Sequence, residues 1–180
     1  PDANTNRGVN IFGAYTSWGN QAKGNNGERS QGHNSIIAAE DGRTYLVYHT
    51  KFNDGTYGHQ VRVHQVFVNQ SGWLVAAPFE YNGEQLTDAD MAQPTPLDTA
   101  DIVGTYDLIV HKYAMDHNNM EEVTPVPISL EEDGTVRGTY AGTWAIDEGT
   151  SYLTIRLGAT TYKGVIMEEV MDQRNLHAVA

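Results

Sequence analysis

Apolar and polar residues alternate with a period of two along most of the chain, and short turns rich in Gly, Asp and Asn interrupt the alternation. That period puts successive side chains on opposite faces of a strand, so the pattern predicts β-structure. No amphipathic helix of useful length is evident, and an all-β protein is expected.

Val9 to Tyr15 predicts a strand within a region rich in Gly, Asn, Ser and Gln. Gly19 to Gly32 is almost free of apolar residues and predicts an exposed loop. Strand signals then follow closely at Ser35 to Ala39, Thr44 to Thr50, His59 to Asn69 and Trp73 to Ala77. Glu40-Asp41-Gly42, Asn53-Asp54-Gly55 and Gln70-Ser71-Gly72 supply the turns. In the third strand, Val61, Val63, Gln65 and Phe67 share one face; Arg62, His64, Val66 and Val68 share the other. Four consecutive antiparallel strands form a meander of the size of one β-propeller blade. Alone, such a sheet would leave two edges and a face uncovered.

The segment 87–100, with Pro94, Pro96 and several Asp, reads as a linker. Strands resume at Gly104 to Tyr113, Val126 to Leu130, Thr135 to Tyr140, Gly142 to Asp147, Ser151 to Leu157, Thr160 to Met171 and Leu176 to Ala180. Their turns are Glu131-Glu132-Asp133-Gly134, Asp147-Glu148-Gly149 and Asp172-Gln173-Arg174-Asn175. This spacing predicts a small antiparallel barrel or sandwich. The expected organisation is therefore a blade with its lead-in over 1–86, a linker over 87–100, and a second β-domain over 101–180. Pro1-Asp2-Ala3-Asn4 is no signal peptide and reads as the interior of a longer chain or a processed end.

Composition narrows the classes. A net charge of -12 over 180 residues opposes nucleic-acid and anionic-membrane partners, because phosphates would repel this surface. There is no cysteine, which excludes disulfides and thiolate metal sites. No apolar stretch approaches the ~20 residues that span a bilayer.

Candidate chemistry centres on histidines, one arginine and carboxylates. His33, in Gly32-His33-Asn34-Ser35, stands where a polar loop enters the first blade strand; it can face a ligand or metal, or serve as a hydrogen-bonded structural residue. His49, His59 and His64 fall in the same meander, but His59 and His64 differ by five positions and face opposite sides, which argues against zinc. Arg62, among valines, predicts either an ion pair with a neighbouring blade or contact with a ligand oxygen. Its expected partner is a carboxylate from outside this chain. Asp41, Asp54, Glu80, Glu84, Asp88 and Asp90 lie in turns, at the blade edge or in the linker, not where a glycosidase acid and base would be buried. Glu131, Glu132, Asp133, Glu168 and Glu169 read as solvated.

The ordered set Gly32-His33-Asn34-Ser35, Thr44 to Thr50, Gly58 to Gln65, Gly72-Trp73 and Ala77-Pro78 resembles bacterial endo-α-1,5-L-arabinanases of glycoside hydrolase family 43. The resemblance implies that these strands are the last blade of a five-bladed propeller, and that the part from Asp101, opening on Gly104-Thr105-Tyr106, is the β-barrel appended to larger members. It implies an inverting hydrolysis of arabinan, a bacterial secreted or periplasmic/cell-surface location, and catalytic carboxylates on earlier blades. No catalytic residue is carried over to this chain. His33 is carried over as the metal residue, holding one calcium at the propeller axis largely through water; His49, His59 and His64 stay structural. Arg62 is the candidate substrate-binding residue of the cleft wall. A partner chain or segment with the earlier blades is expected, through nicking, a split gene or a fragment.

Two other readings remain open. Tyr106, Tyr113, Tyr140, Trp144, Tyr152 and Tyr162 can stack on sugar rings, as in a non-catalytic carbohydrate-binding module, although alternation places most of them in the core. A lipocalin-like carrier would need a barrel with an apolar cavity.

Overall fold

The computed structural model describes residues 10–16, 27–52, 58–92, 97–111, 122–171 and 174–179. The expected turn at Asn53-Asp54-Gly55, the pair Asp172-Gln173, Tyr113, and the prolines of the linker lie outside these residues.

The first sheet is the expected meander: β1 (Glu28–Ala38), β2 (Thr44–Phe52), β3 (Gln60–Val68) and β4 (Leu74–Ala76), in the order β1-β2-β3-β4 and antiparallel throughout. Two one-turn helices follow, α1 (Asp88–Met91) and α2 (Thr99–Ile102). The second sheet holds β5 (Gly104–Leu108), β6 (Val126–Leu130), β7 (Thr135–Gly138), β8 (Gly142–Ile146), β9 (Tyr152–Leu157), β10 (Thr160–Met171) and β11 (Arg174–Val179). Each of its strands pairs with its neighbour in sequence. The protein is thus all-β: a propeller-type blade followed by a curled antiparallel barrel or sandwich.

Both faces of β3 are used, as its alternation requires. Phe67 points into a cluster with Ala77, Phe79 and Met91, and with Val165, Met167 and Ala178 of the second sheet. Val66 points the other way, to Leu46, Tyr48 and Phe12. β10 alternates in the same manner: Ile166 belongs to the second sheet's own core with Ile128, Leu130, Val136, Trp144 and Leu153, while Val165 and Met167 meet the blade. The unbroken run Val165-Ile166-Met167 follows from this, since a strand covered on both faces loses the polar half of its pattern.

The linker segment contributes structure of its own. Thr87 and Asp98 each start a helix with a reciprocal capping box, closed by Asp90 and Asp101 respectively. Each box satisfies orphan amides at the helix start. Met91 and Ile102 are thereby set into the two clusters on either side.

Two expectations are corrected. Glu28 to Gly32 is not loop but the first half of β1, paired to Phe52 through His49. This polar stretch is held by the inward-facing Glu28, whose carboxyl lies 2.9 Å from Tyr48 Oη. Conversely, 10–16 does not form a strand; only Tyr15 bridges, in parallel, to Val123. The segment is held by side-chain packing: the Phe12 ring lies 5.2 Å from Tyr48 and 4.9 Å from His64.

Candidate functional site

β1 is the irregular strand of the blade, and its irregularity presents His33. Its register to β2 slips twice, between Arg29 and Gly32 and between Gly32 and Ser35. Each slip holds a non-glycine residue in the left-handed region, Ser30 at φ 57° and His33 at φ 45°. That conformation costs an L-residue about 1–2 kcal/mol and is characteristic of sites where geometry matters more than stability. The left-handed positions are thus Ser30 and His33, not the intervening Gly32. His33 also lies within β1 rather than at its end.

The bulges bring His33 beside His49. Their Nδ1 atoms are 3.1 Å apart, and the rings lie 4.8 Å apart. His59 packs edge-on against His49 at 4.5 Å. Desolvation, then the neighbouring His59 and His33, push the His49 imidazole below its ordinary pKa and favour its neutral, accepting form. With the hydrogen on His33 Nδ1 donated to His49, Nε2 of the exposed His33 is left as an acceptor. Among the described residues no group of three or more His, Asp or Glu can enclose a metal.

His64 is separate from this row. It is buried on the opposite face, with Nδ1 2.7 Å from the Ala77 carbonyl and Nε2 3.1 Å from Tyr48 Oη. Tyr48 Oη is in turn 2.9 Å from Glu28 Oε2. Burial drives the His64 pKa down to about 4. It also raises the Glu28 carboxyl, against the opposing pull of Tyr48 and Arg62. Nothing in the sequence pattern singled out Glu28 or Tyr48. Glu28 sits in a stretch without apolar alternation, and its importance depends on the bulges that turn it inward.

Arg62 departs from the expectation of an external partner. Its Nη1 donates to Glu80 at 2.7 Å, its Nε lies 3.6 Å from Glu28, and its guanidinium covers the Phe52 ring at 4.6 Å. The chain itself supplies both carboxylates, because the loop after β4 carries Glu80 back to β3.

The remaining carboxylates separate cleanly. Asp41 pairs with Arg43, Asp88 accepts from the Val68 amide at 2.8 Å, Asp90 caps α1, and Glu84 accepts from the Asn82 amide. Glu169 corrects the sequence reading. It is buried rather than solvated, and desolvation raises its pKa to about 8. The cause is the blade, which covers that face of β10. Of the second sheet's aromatics, Tyr106 and Trp144 are anchored to carbonyls at 2.6 and 2.8 Å, and Tyr152 packs on the blade-facing cluster. Tyr140 and Tyr162 are exposed.

Comparison with known proteins agrees with this architecture. Residues 78–180 match the family model of GH43_C, described as a C-terminal lipocalin-like domain. The chain is 37% identical over 163 residues to extracellular endo-α-(1→5)-L-arabinanase 2 of Bacillus subtilis, covering 90% of this chain and 32% of that protein. It is 36% identical over 150 residues to an extracellular endo-α-(1→5)-L-arabinanase of Thermotoga petrophila, covering 78% of this chain and 28% of the relative. The crystal structure of the endo-1,5-α-L-arabinanase from Thermotoga petrophila superposes with a TM-score of 0.75 at 28% identity, over 97% of this chain and 37% of that one. The chain therefore spans about a third of the length of the relatives it matches. No helix among the described residues is long and apolar enough to cross a membrane. With a blade preceding it, and a match from Pro78 to Ala180, the chain belongs to the GH43 C-terminal lipocalin-like domain family.

Proposed function

We propose that this chain is the C-terminal portion of an arabinan-degrading glycoside hydrolase that cleaves α-1,5-L-arabinofuranosidic bonds with inversion. The observation that carries the proposal is the likeness to arabinanases over 90% of the chain, across blade and barrel together. Inversion needs a base and an acid on opposite sides of the bond, about 6.5–9.5 Å apart, so that a water fits between base and sugar. Among the described residues, Asp41, Asp88, Asp90 and Glu84 serve turns, caps and ion pairs, and the buried Glu28 and Glu169 are engaged with Tyr48 and with the Phe79 amide. The acid and base are therefore assigned to blades on a partner chain or segment, with 1–86 as the last blade, 87–100 as the linker and 101–180 as the barrel. Ile36, Ile37 and Val61 leave apolar surface on the blade that such blades would cover. Like its relatives, the assembled enzyme would act outside a bacterial cell.

Within that assembly, His33 holds a calcium ion and Arg62 forms part of the cleft wall. The described residues would supply such an ion with a single imidazole. One imidazole nitrogen is oriented from behind by His49, and the remaining positions fall to water. When bound, such an ion would favour the ionised state of nearby carboxylates. The residues of this chain orient the imidazole and hold the strand that carries it.

Hydrolysis of linear arabinan by the chain alone and with the preceding blades is the test. The expected result is activity only in the assembly; turnover by this chain alone would overturn the proposal. The alternative, a non-catalytic carbohydrate-binding module, finds support only in the exposed Tyr140 and Tyr162. Calorimetry with arabino-oligosaccharides on the chain carrying both tyrosines as Ala would separate it.

A further inference from the structure

The hydrogen-bond chain from Glu28 to Ala77 lacks one proton if its members take their ordinary charge states. The Ala77 carbonyl can only accept, so His64 Nδ1, 2.7 Å away, carries a hydrogen. In a neutral imidazole Nε2 is then bare and must accept. Tyr48 Oη lies 3.1 Å from that nitrogen and 2.9 Å from Glu28 Oε2. An ionised Glu28 would accept as well. Two acceptors would then compete for one phenolic hydrogen, and one short contact would set lone pair against lone pair.

A single added proton closes the chain. Placed on Glu28, it is donated to Tyr48 Oη, which donates to His64 Nε2. Placed on His64, it is donated to Tyr48, which donates to Glu28. The second arrangement puts opposite charges into a nearly dry site, since Glu28, Tyr48 and His64 are 4%, 3% and 4% exposed. The Phe12 ring closes over Tyr48 and His64, and buried charge is costly in such surroundings. Arg62 faces Glu28, but its close partner is Glu80. Among the described residues, the other ionisable groups facing the chain are Glu80 toward Glu28, Tyr15 toward Tyr48 and Arg62 toward His64.

We propose that Glu28, Tyr48 and His64 form a buried proton-sharing triad, which takes up one proton on folding, holds it on Glu28 near neutral pH, and so ties β1 to β2 and β3 in a pH-dependent way. The direction of both shifts agrees, the Glu28 carboxyl raised and the His64 imidazole depressed. The strand so tied is the one that bears the two bulges and His33. The triad stands apart from the arabinan reading, because it depends on no substrate and no missing blade.

A folded state that binds one more proton than the unfolded chain loses about a tenfold in folding constant for each pH unit while only the unfolded carboxyl is ionised. Glu28→Gln tests this in the full chain. The amide donates to Tyr48 Oη as a protonated carboxyl does, so E28Q needs no added proton. The variant should stay folded, and from above the ordinary carboxyl range up to neutral pH the dependence of its folding constant should lose one factor of about ten per pH unit relative to the parent, the share of Glu169 remaining in both. Infrared difference spectra in an E169Q background should show a protonated-carboxyl band that E28Q removes; that background excludes the proton on Glu169. Nitrogen-15 NMR of His64 near pH 7 should find hydrogen on Nδ1 alone. An unchanged pH slope in E28Q, a missing carboxyl band, or a doubly protonated His64 would each overturn the triad. The infrared and NMR readings need no folded E28Q, since the E169Q protein itself shows or lacks the band and the tautomer.

Discussion

The backbone amide of Phe79, just beyond the last blade strand, donates to a carboxylate oxygen of Glu169 on β10 across 3.4 Å. This bond joins the blade to the second sheet at a position from which water is excluded, as Glu169 is only 2% exposed. Desolvation is the main reason that the Glu169 pKa rises to about 8; the amide bond opposes it and the Glu84 charge adds to it.

The pH dependence of this contact has a definite sign. Below about 4.5 the carboxyl is protonated in the folded and unfolded chains alike, and its contribution is complete. Between there and about 8 only the unfolded chain ionises, so stability falls as pH rises. The loss should be about 2–4 kcal/mol over that window, allowing for relaxation around the buried group. Glu169→Gln should flatten this part of the profile in urea unfolding at pH 5 and pH 8. Equal losses in variant and parent would show that Glu169 does not hold a proton in the folded chain.

Phe67 is the central apolar contact between blade and second sheet. It is 1% exposed and packs with Met91, Val165 and Met167. Phe67→Ala should cost about 3–5 kcal/mol, the range for truncating a buried phenylalanine. Because the cavity would open between the sheets, limited proteolysis should then cut first in the segment between β4 and β5. Val61→Ala, at an exposed position of the same strand, should change stability by less than about 0.5 kcal/mol.

The strands of both sheets were legible because their alternation is strong and their turns carry glycine. β10 was readable end to end, Thr160 to Met171. The missed features share a cause, which is dependence on a partner far away in sequence. Glu169 alternates like any outward-facing residue until the blade covers it. Glu28 to Gly32 lacks apolar alternation, yet it pairs because the Glu28 side chain meets Tyr48 and the Arg29 carbonyl accepts from the Thr50 hydroxyl. The boxes Thr87-x-x-Asp90 and Asp98-x-x-Asp101 were visible signals, but helices of one turn have no period to confirm them. At the candidate site, His33 is singled out by the resemblance its motif carries, whereas the neighbouring His49 depends on the register Gly32 to His49.

Gly142, the first residue of β8, tests the close approach of two strands. A Cβ there would lie 1.8 Å from the Arg156 carbonyl oxygen. Real contacts do not approach so closely, and the obstacle is backbone, which cannot swing aside. Gly142→Ala should therefore force β8 and β9 apart and cost on the order of 1–3 kcal/mol. Thermal unfolding measures this directly. Gly149→Ala is the control: its Cβ meets open space, but φ 72° makes it strained on its own account, so it should cost about 1–2 kcal/mol without loosening the sheet. Hydrogen exchange at Trp144 and Ile155, register partners across the two strands, should quicken only in the Gly142 variant.

The His33–His49 pair gives the last prediction, which concerns the proposed metal. If His33 binds a cation through Nε2, then His49 acts behind it by fixing Nδ1, whose distance to His49 Nδ1 is 3.1 Å. Removing the ligand and removing its support should differ in degree. His33→Ala in the assembled enzyme should abolish calcium binding and sharply reduce activity while the blade stays folded. His49→Leu should leave the ion bound ten- to a hundredfold more weakly, the usual effect of losing the group that orients a metal-bound imidazole. Added calcium should then restore activity to the His49 variant but not to the His33 variant. Calorimetric titration of calcium into both reads the difference, and equal affinities in the parent and the His33 variant would place the ion elsewhere.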